Sequence, residues 1–304
     1  MHNNAERYSW TAYHLFVLLS SLIGDSIILY SSFQKDVFKV HQVIIVVIQH
    51  IAVSDIAVVI LRVFPRMISL TANSRMIGDP LCYVSAYTFF VRFPLGRCLL
   101  AVLSSIKLLV LKFPLRAASW TKKTAHLVCI TIWILSLSYP VIFYTIDKND
   151  VDFDYRIYSC KYRNRDKILR NIALNISFVM TLAPTIIIIG TTIPTLMYLA
   201  TARKSARRVG GRDPWQGTLA VALTAIIYLI SATTMIVFTI GDKFFKQTND
   251  PTSPFNFHML RIAIFLSLLN VVSNFYIYTL TMRNFRRFLW LKIQSFQPVR
   301  KTRQ

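Results

Sequence analysis

The chain has 304 residues, 54% of them apolar or aromatic, and a formal charge of +22. The apolar residues gather into runs of about 20 or more, the length that crosses roughly 30 Å of hydrocarbon. Stretches such as 179–199 and 218–240 have no charged face at all, which excludes water-soluble helices with a polar stripe at the 3.6-residue period.

Lipid offers backbone groups no partners, so each run is predicted to be a helix. Seven spans are placed at 11–34, 40–69, 82–112, 125–146, 168–200, 216–240 and 258–281. The expectation is an all-α membrane protein: a seven-transmembrane bundle over 11–281, a short N-terminus over 1–10 and a basic tail over 282–304. The first run starts near Tyr13 without an obvious cleavage site and reads as an uncleaved anchor. With the N-terminus outside, Lys and Arg concentrate in the inside connections and the tail. That is the positive-inside pattern. It implies a multi-pass plasma-membrane protein with an extracellular N-terminus and a cytoplasmic C-terminus. It also argues against a nucleic-acid partner, and anionic lipid at the basic loops is the partner expected instead.

The connection over 147–167 carries both charge signs and Cys160. Cys82 and Cys160 fall outside or at helix ends, where oxidation is allowed, and a disulfide between them is expected. Cys98 and Cys129 lie inside apolar runs and read as packing residues. Asn175, in the chain's single Asn-x-Ser/Thr match, lies within a predicted helix and is not expected to carry glycan. The inside connection after the fifth span is short and basic, with Arg203, Lys204, Arg207 and Arg208 ahead of Gly210, Gly211 and Pro214. After the seventh span, Phe285, Phe288 and Leu289 recur at helical spacing among arginines, the pattern of a short amphipathic helix in the membrane interface.

No phosphate-binding loop, nucleophile elbow or metal-ligand helix stands in the sequence. Enzyme activity, a cofactor and a metal centre are therefore not expected. Nor is the inverted repeat of many transporters apparent.

Several residues together are similar to the markers of rhodopsin-like G-protein-coupled receptors. They are Gly24-Asp25 in the first span, Ile51-Ala52-Val53-Ser54-Asp55 in the second, and Cys82 at the head of the third. Pro114-Leu115 follows the third span, Trp133 lies in the fourth and Pro184 in the fifth. Asn274-Phe275-Tyr276-Ile277-Tyr278, with Phe285 downstream, closes the seventh. The resemblance implies a receptor for an extracellular ligand that signals to heterotrimeric G proteins. Lys107 and the basic residues 203–208 would then face the G protein. Asp55, Arg92, Lys107, Asn274 and Tyr278 would form the activation switch. The chain departs from the pattern at Ile106-Lys107-Leu108, where the family has Asp-Arg-Tyr. It departs again at Ala232 and Thr234, where the family has Trp and Pro, and at Phe275, where it has Pro. These departures motivate an alternative, a receptor-like protein that acts as a scavenger, a partner subunit or an arrestin-only receptor. A transporter or channel is a more distant alternative.

Asp25, Asp55, Arg62, Arg92 and Arg97 fall inside predicted spans. Charge is costly there, so each should face the bundle interior and find a partner. In relatives with this layout the acid at Asp55 holds sodium. Arg92 is expected to pair with Asp55 and replace that ion, the other reading being that it faces the outer cavity. Asp25 is expected to bond the seventh span near Asn270 or Asn274. Arg62, two turns outward of Asp55, is placed at the cavity floor, and Phe89 stands where amine receptors carry an Asp. Arg62 and Phe89 are thus candidate ligand-pocket residues. With Arg97 and Arg261 as further candidates, the guess is an anionic or polar ligand, against the plainer reading that the arginines pair internally. Tyr13 is read as part of the interfacial aromatic belt, whereas Tyr83, Tyr87 and Phe90 fit either the belt or the cavity wall.

Overall fold

The computed structural model describes residues 4–34, 37–38, 41–74, 78–147, 151–154, 158–162, 167–209, 215–246 and 254–296. Its helices form the seven spans of a transmembrane bundle. The first is α1 (Asn4–Ser32). The second is built from α2 (Gln42–Val58), a π-helical turn (Val59–Val63) and α3 (Phe64–Ala72). The third is α4 (Asp79–Lys112), followed by the short α5 (Pro114–Ala118). The fourth is α6 (Lys122–Asp147) and the fifth α7 (Lys167–Val209). The sixth is α8 (Trp215–Lys246), the seventh α9 (Pro254–Thr281), and α10 (Arg283–Phe296) follows.

Local chemistry explains the breaks. Pro65 lacks an N–H, and its ring crowds the carbonyl of Leu61 four residues earlier. The π turn just ahead of it opens the ladder at that place. Asn73 ends α3 in the left-handed conformation, φ 52°, with its N–H on the carbonyls of Leu70 and Ser69. Pro114 cannot continue α4, so the chain turns at Phe113 and restarts as α5.

Side chains sort by what surrounds them. Leu127, Ile134, Val179, Ile186, Met197 and Leu280 are exposed on the bundle's outside, as a lipid-facing surface requires. Inside, the main apolar cluster joins α2, α4, α8 and α9 through residues such as Ile44, Leu99, Leu103, Ala225 and Tyr278. A second cluster joins α1, the π turn and α9 through Val17, Val59, Val63, Ile264 and Leu268.

Two features differ from the sequence expectations. α1 begins at Asn4, so much of the segment expected as a short N-terminus is helix. The connection over 147–167 contains an antiparallel hairpin, β1 (Val151–Asp154) with β2 (Ser159–Tyr162), in a register that sets Phe153 opposite Cys160. The disulfide Cys82–Cys160 ties β2 to the head of α4. At the other end of the bundle α10 buries Phe285 and packs Phe288 and Leu289 on the core, leaving Arg286, Arg287, Trp290 and Ile293 exposed.

Candidate functional site

The bundle interior holds a charged seam. At its middle, Asn274 Nδ2 on α9 donates to Asp55 Oδ2 on α2 at 3.0 Å. Asp55 does not form the expected ion pair with Arg92. Arg92 donates instead to the backbone carbonyl of Ser267 on α9, while its charge still acts on Asp55 through space. The reason is competition: the seventh span offers an amide to the acid and a backbone carbonyl to the guanidinium, and each charge takes a neutral partner. Asp25 is likewise held differently from expectation. Its carboxylate accepts from Ser21 on the preceding turn of α1, and not from Asn270 or Asn274.

From Asp55 toward the disulfide end, the second span presents Arg62 in the π turn and Arg66 in α3. Both are buried, 7% and 6% exposed. The Arg62 guanidinium lies 4.0 Å from the centroid of the Phe89 ring, so the two predicted pocket residues meet as a cation–π pair. Arg66 lies 5.9 Å from the Trp10 ring. Arg62, Arg66, Arg92 and His14 line one small cavity with Ser267, Ile264, Leu268 and Val63. Its volume open to water-sized particles is about 10 Å³. Arg92 thus lines this cavity as well as bonding the Ser267 carbonyl.

Arg66 and His14 were not singled out by sequence. Arg66 stands four residues after Arg62, a spacing that puts side chains on one face, and that signal was available. His14 on an apolar helix carried none.

The other arginine candidates lie elsewhere. Arg261 pairs with Glu6, joining α9 to the start of α1. Arg97 faces the Tyr228 ring on α8 at 5.9 Å. Tyr13 is tied to the seventh span: its hydroxyl donates to Phe265 O at 2.7 Å and its ring stacks on Phe265. Tyr87 donates to the Leu137 carbonyl on α6, so it belongs to a helix contact and not to the cavity wall. Phe90 packs edge-on against Phe89.

Toward the α10 end, Lys107 is 7% exposed beside buried Ile106, and among the described residues no ion pair holds it. Tyr278 is 1% exposed and packs edge-on against Phe38 and Phe285. Arg203, Lys204, Arg207 and Arg208 belong to the last turns of α7, and their side chains lie outside the described residues. Where the resemblance leads one to look for proline, Phe275 packs against Gly24 on α1. A Cβ on Gly24 would sit 2.7 Å from that of Phe275.

Comparison with known proteins agrees with this layout. A profile of the 7 transmembrane receptor (rhodopsin family) matches residues 24–278. The fold is similar to that of squid rhodopsin in its crystal structure, with a TM-score of 0.68 at 16% identity, covering 97% of this chain and 82% of that one. No curated protein matches the chain by sequence. The chain belongs to the rhodopsin family of seven-transmembrane receptors.

Proposed function

We propose that the chain is a plasma-membrane receptor, N-terminus outside, that takes an extracellular ligand at the disulfide end and signals to a heterotrimeric G protein at the α10 end. The observation that carries the reading is the Asp55–Asn274 hydrogen bond between the second and seventh spans. It lies between the cavity lined by Arg62 and buried Lys107, so a ligand that shifts one span against the other is felt at both ends. A ligand moves such a bundle only by its differential affinity for two states. Lys107 stands in for the family's arginine, with no acid beside it to hold it at rest. The basic residues Arg203, Lys204, Arg207 and Arg208 would add to the docking face, and anionic lipid would collect there as well.

The missing acid at Ile106 favours a second reading, a receptor-like protein without G-protein coupling. Second-messenger output in cells expressing the chain separates the two, with Lys107→Glu compared at equal surface level. The coupled reading expects signalling above empty cells that Lys107→Glu abolishes. Output equal to that of empty cells, across the G proteins and ligands tried, favours the uncoupled one.

A further inference from the structure

Three guanidinium groups converge on the cavity between the first, second, third and seventh spans, and no acid lines it. Arg62 and Arg66 are each more than nine-tenths buried, and His14 is fully so. Arg62 Nη1, Arg66 Nε and His14 Nε2 have no hydrogen-bond partner. Among the described residues none of the three arginines makes an ion pair. Like charges in a dry interior repel strongly, and a buried charge in a membrane span requires a partner. Aromatic faces meet Arg62 and Arg66, but a ring attracts a cation without neutralising it. Arg92 spends one donor on the Ser267 carbonyl. The nearest acid acting on it, Asp55, is already bonded by Asn274.

We propose that this cavity, lined by Arg62, Arg66 and Arg92, is a binding site for one compact monovalent anion, either a halide ion or the carboxylate group of a small organic acid. A concave wall of a single charge sign concentrates counter-ions. The orphaned Arg62 Nη1–H and Arg66 Nε–H supply charge-assisted hydrogen bonds. The volume of about 10 Å³ admits about one water-sized particle, which fits chloride or a single carboxylate oxygen pair and not a phosphate ester. His14 Nδ1 lies 2.7 Å from the Trp10 carbonyl, so Nδ1 carries the proton and neutral Nε2 is left as an acceptor. A bound group that also carries an O–H, such as a hydroxy acid, would satisfy that nitrogen too. The proposal rests on the receptor reading only for the cavity's lying in the half of the bundle that faces outside.

The test is thermal unfolding of the full-length receptor in lipid nanodiscs at constant ionic strength, with sodium methanesulfonate, neither a halide nor a carboxylate, as the baseline. Sodium chloride and sodium acetate are titrated in separately. The expected result is a saturable rise in Tm with at least one of them, since a ligand of the folded state alone stabilises it by mass action. A response to chloride alone assigns the site to a halide, and a response to acetate alone assigns it to a carboxylate. Arg62→Gln and Arg66→Gln should each weaken the apparent anion affinity about tenfold or more. Their Tm in methanesulfonate should match or exceed that of the wild type, because a repelling charge is gone. Exposed Arg116→Gln should behave as the wild type. A wild-type Tm indifferent to both anions overturns the proposal, as does a rise that Arg62→Gln and Arg66→Gln both retain. The wild-type titration stands even if a variant fails to fold. No G protein is present in this measurement, so a receptor that binds anion without signalling, or signals without binding anion, is seen as such.

Discussion

At the scale of single residues, the informative positions are those where the chain departs from its family and the structure shows a compensation. Phe275 replaces a proline, so α9 keeps its backbone bonds there, and the bulk of the ring is met by Gly24 on α1. A methyl group on Gly24 would lie 2.7 Å from Phe275 Cβ and 2.8 Å from Cγ. Overpacking of this kind costs about 1–3 kcal/mol. Gly24→Ala is therefore expected to lower the Tm of the purified receptor. In a background of Phe275→Gly, which removes both clashing carbons, the loss caused by Gly24→Ala should be smaller than in the wild type, because the two changes share one contact. Additive losses in the double variant would show that the two residues do not share it. Gly24 stood out in the sequence through its place beside Asp25. That it faces Phe275 was not legible, since 251 positions of chain separate them and only the packing of α1 on α9 brings them together.

Elements show where the sequence is a good guide and where it is not. Apolar run length placed all seven spans, because a backbone in lipid must be helical whatever its neighbours do. The amphipathic α10 was legible for the same reason: a period of 3.6 says which face is buried. The start of α1 at Asn4 was not, because its polar first turns are held by tertiary contacts, Glu6 with Arg261 and Trp10 with Arg66. The π turn escaped as well, although Pro65 was in view, because a proline in a span can be answered by a kink, a bulge or a break. The hairpin β1–β2 is four residues a side, too short for an alternation to stand out from noise. Its hold on the bundle is the bond from Cys160 to Cys82, which closes a loop of 78 residues. Loss of such a cross-link typically costs about 2–5 kcal/mol. Cys160→Ser should therefore leave the helices in place while the hairpin comes away from α4. Limited proteolysis reads this directly, as faster cutting within 147–167 in the variant than in the wild type. Equal cutting rates would mean that the packing of Val151 and Phe153 beside Ala86 holds the hairpin without the bond.

Across the whole molecule, the charged seam sets what the bundle interior offers to an ion. In relatives with this layout a sodium ion at the position of Asp55 steadies the resting state. Here one oxygen of that carboxylate takes the amide of Asn274, and the positive charge of Arg92 acts on the acid through space. The sequence showed that an arginine was available but not which partner it would choose, because that choice depends on the Ser267 carbonyl and the Asn274 amide presented by another helix. A cation entering beside Asp55 would meet the field of a guanidinium, and Coulomb repulsion in a low-dielectric interior falls off slowly with distance. Replacing sodium with potassium or choline at constant ionic strength and constant anion is therefore expected to leave the Tm and basal signalling of the wild type unchanged. Arg92→Gln removes the repelling charge while keeping a donor for Ser267, so a sodium-dependent rise in Tm should emerge in that variant and vanish again when Asp55→Asn is added. Sodium dependence already present in the wild type and abolished by Asp55→Asn would mean that Arg92 does not guard the acid, and that this receptor keeps its family's cation despite the arginine.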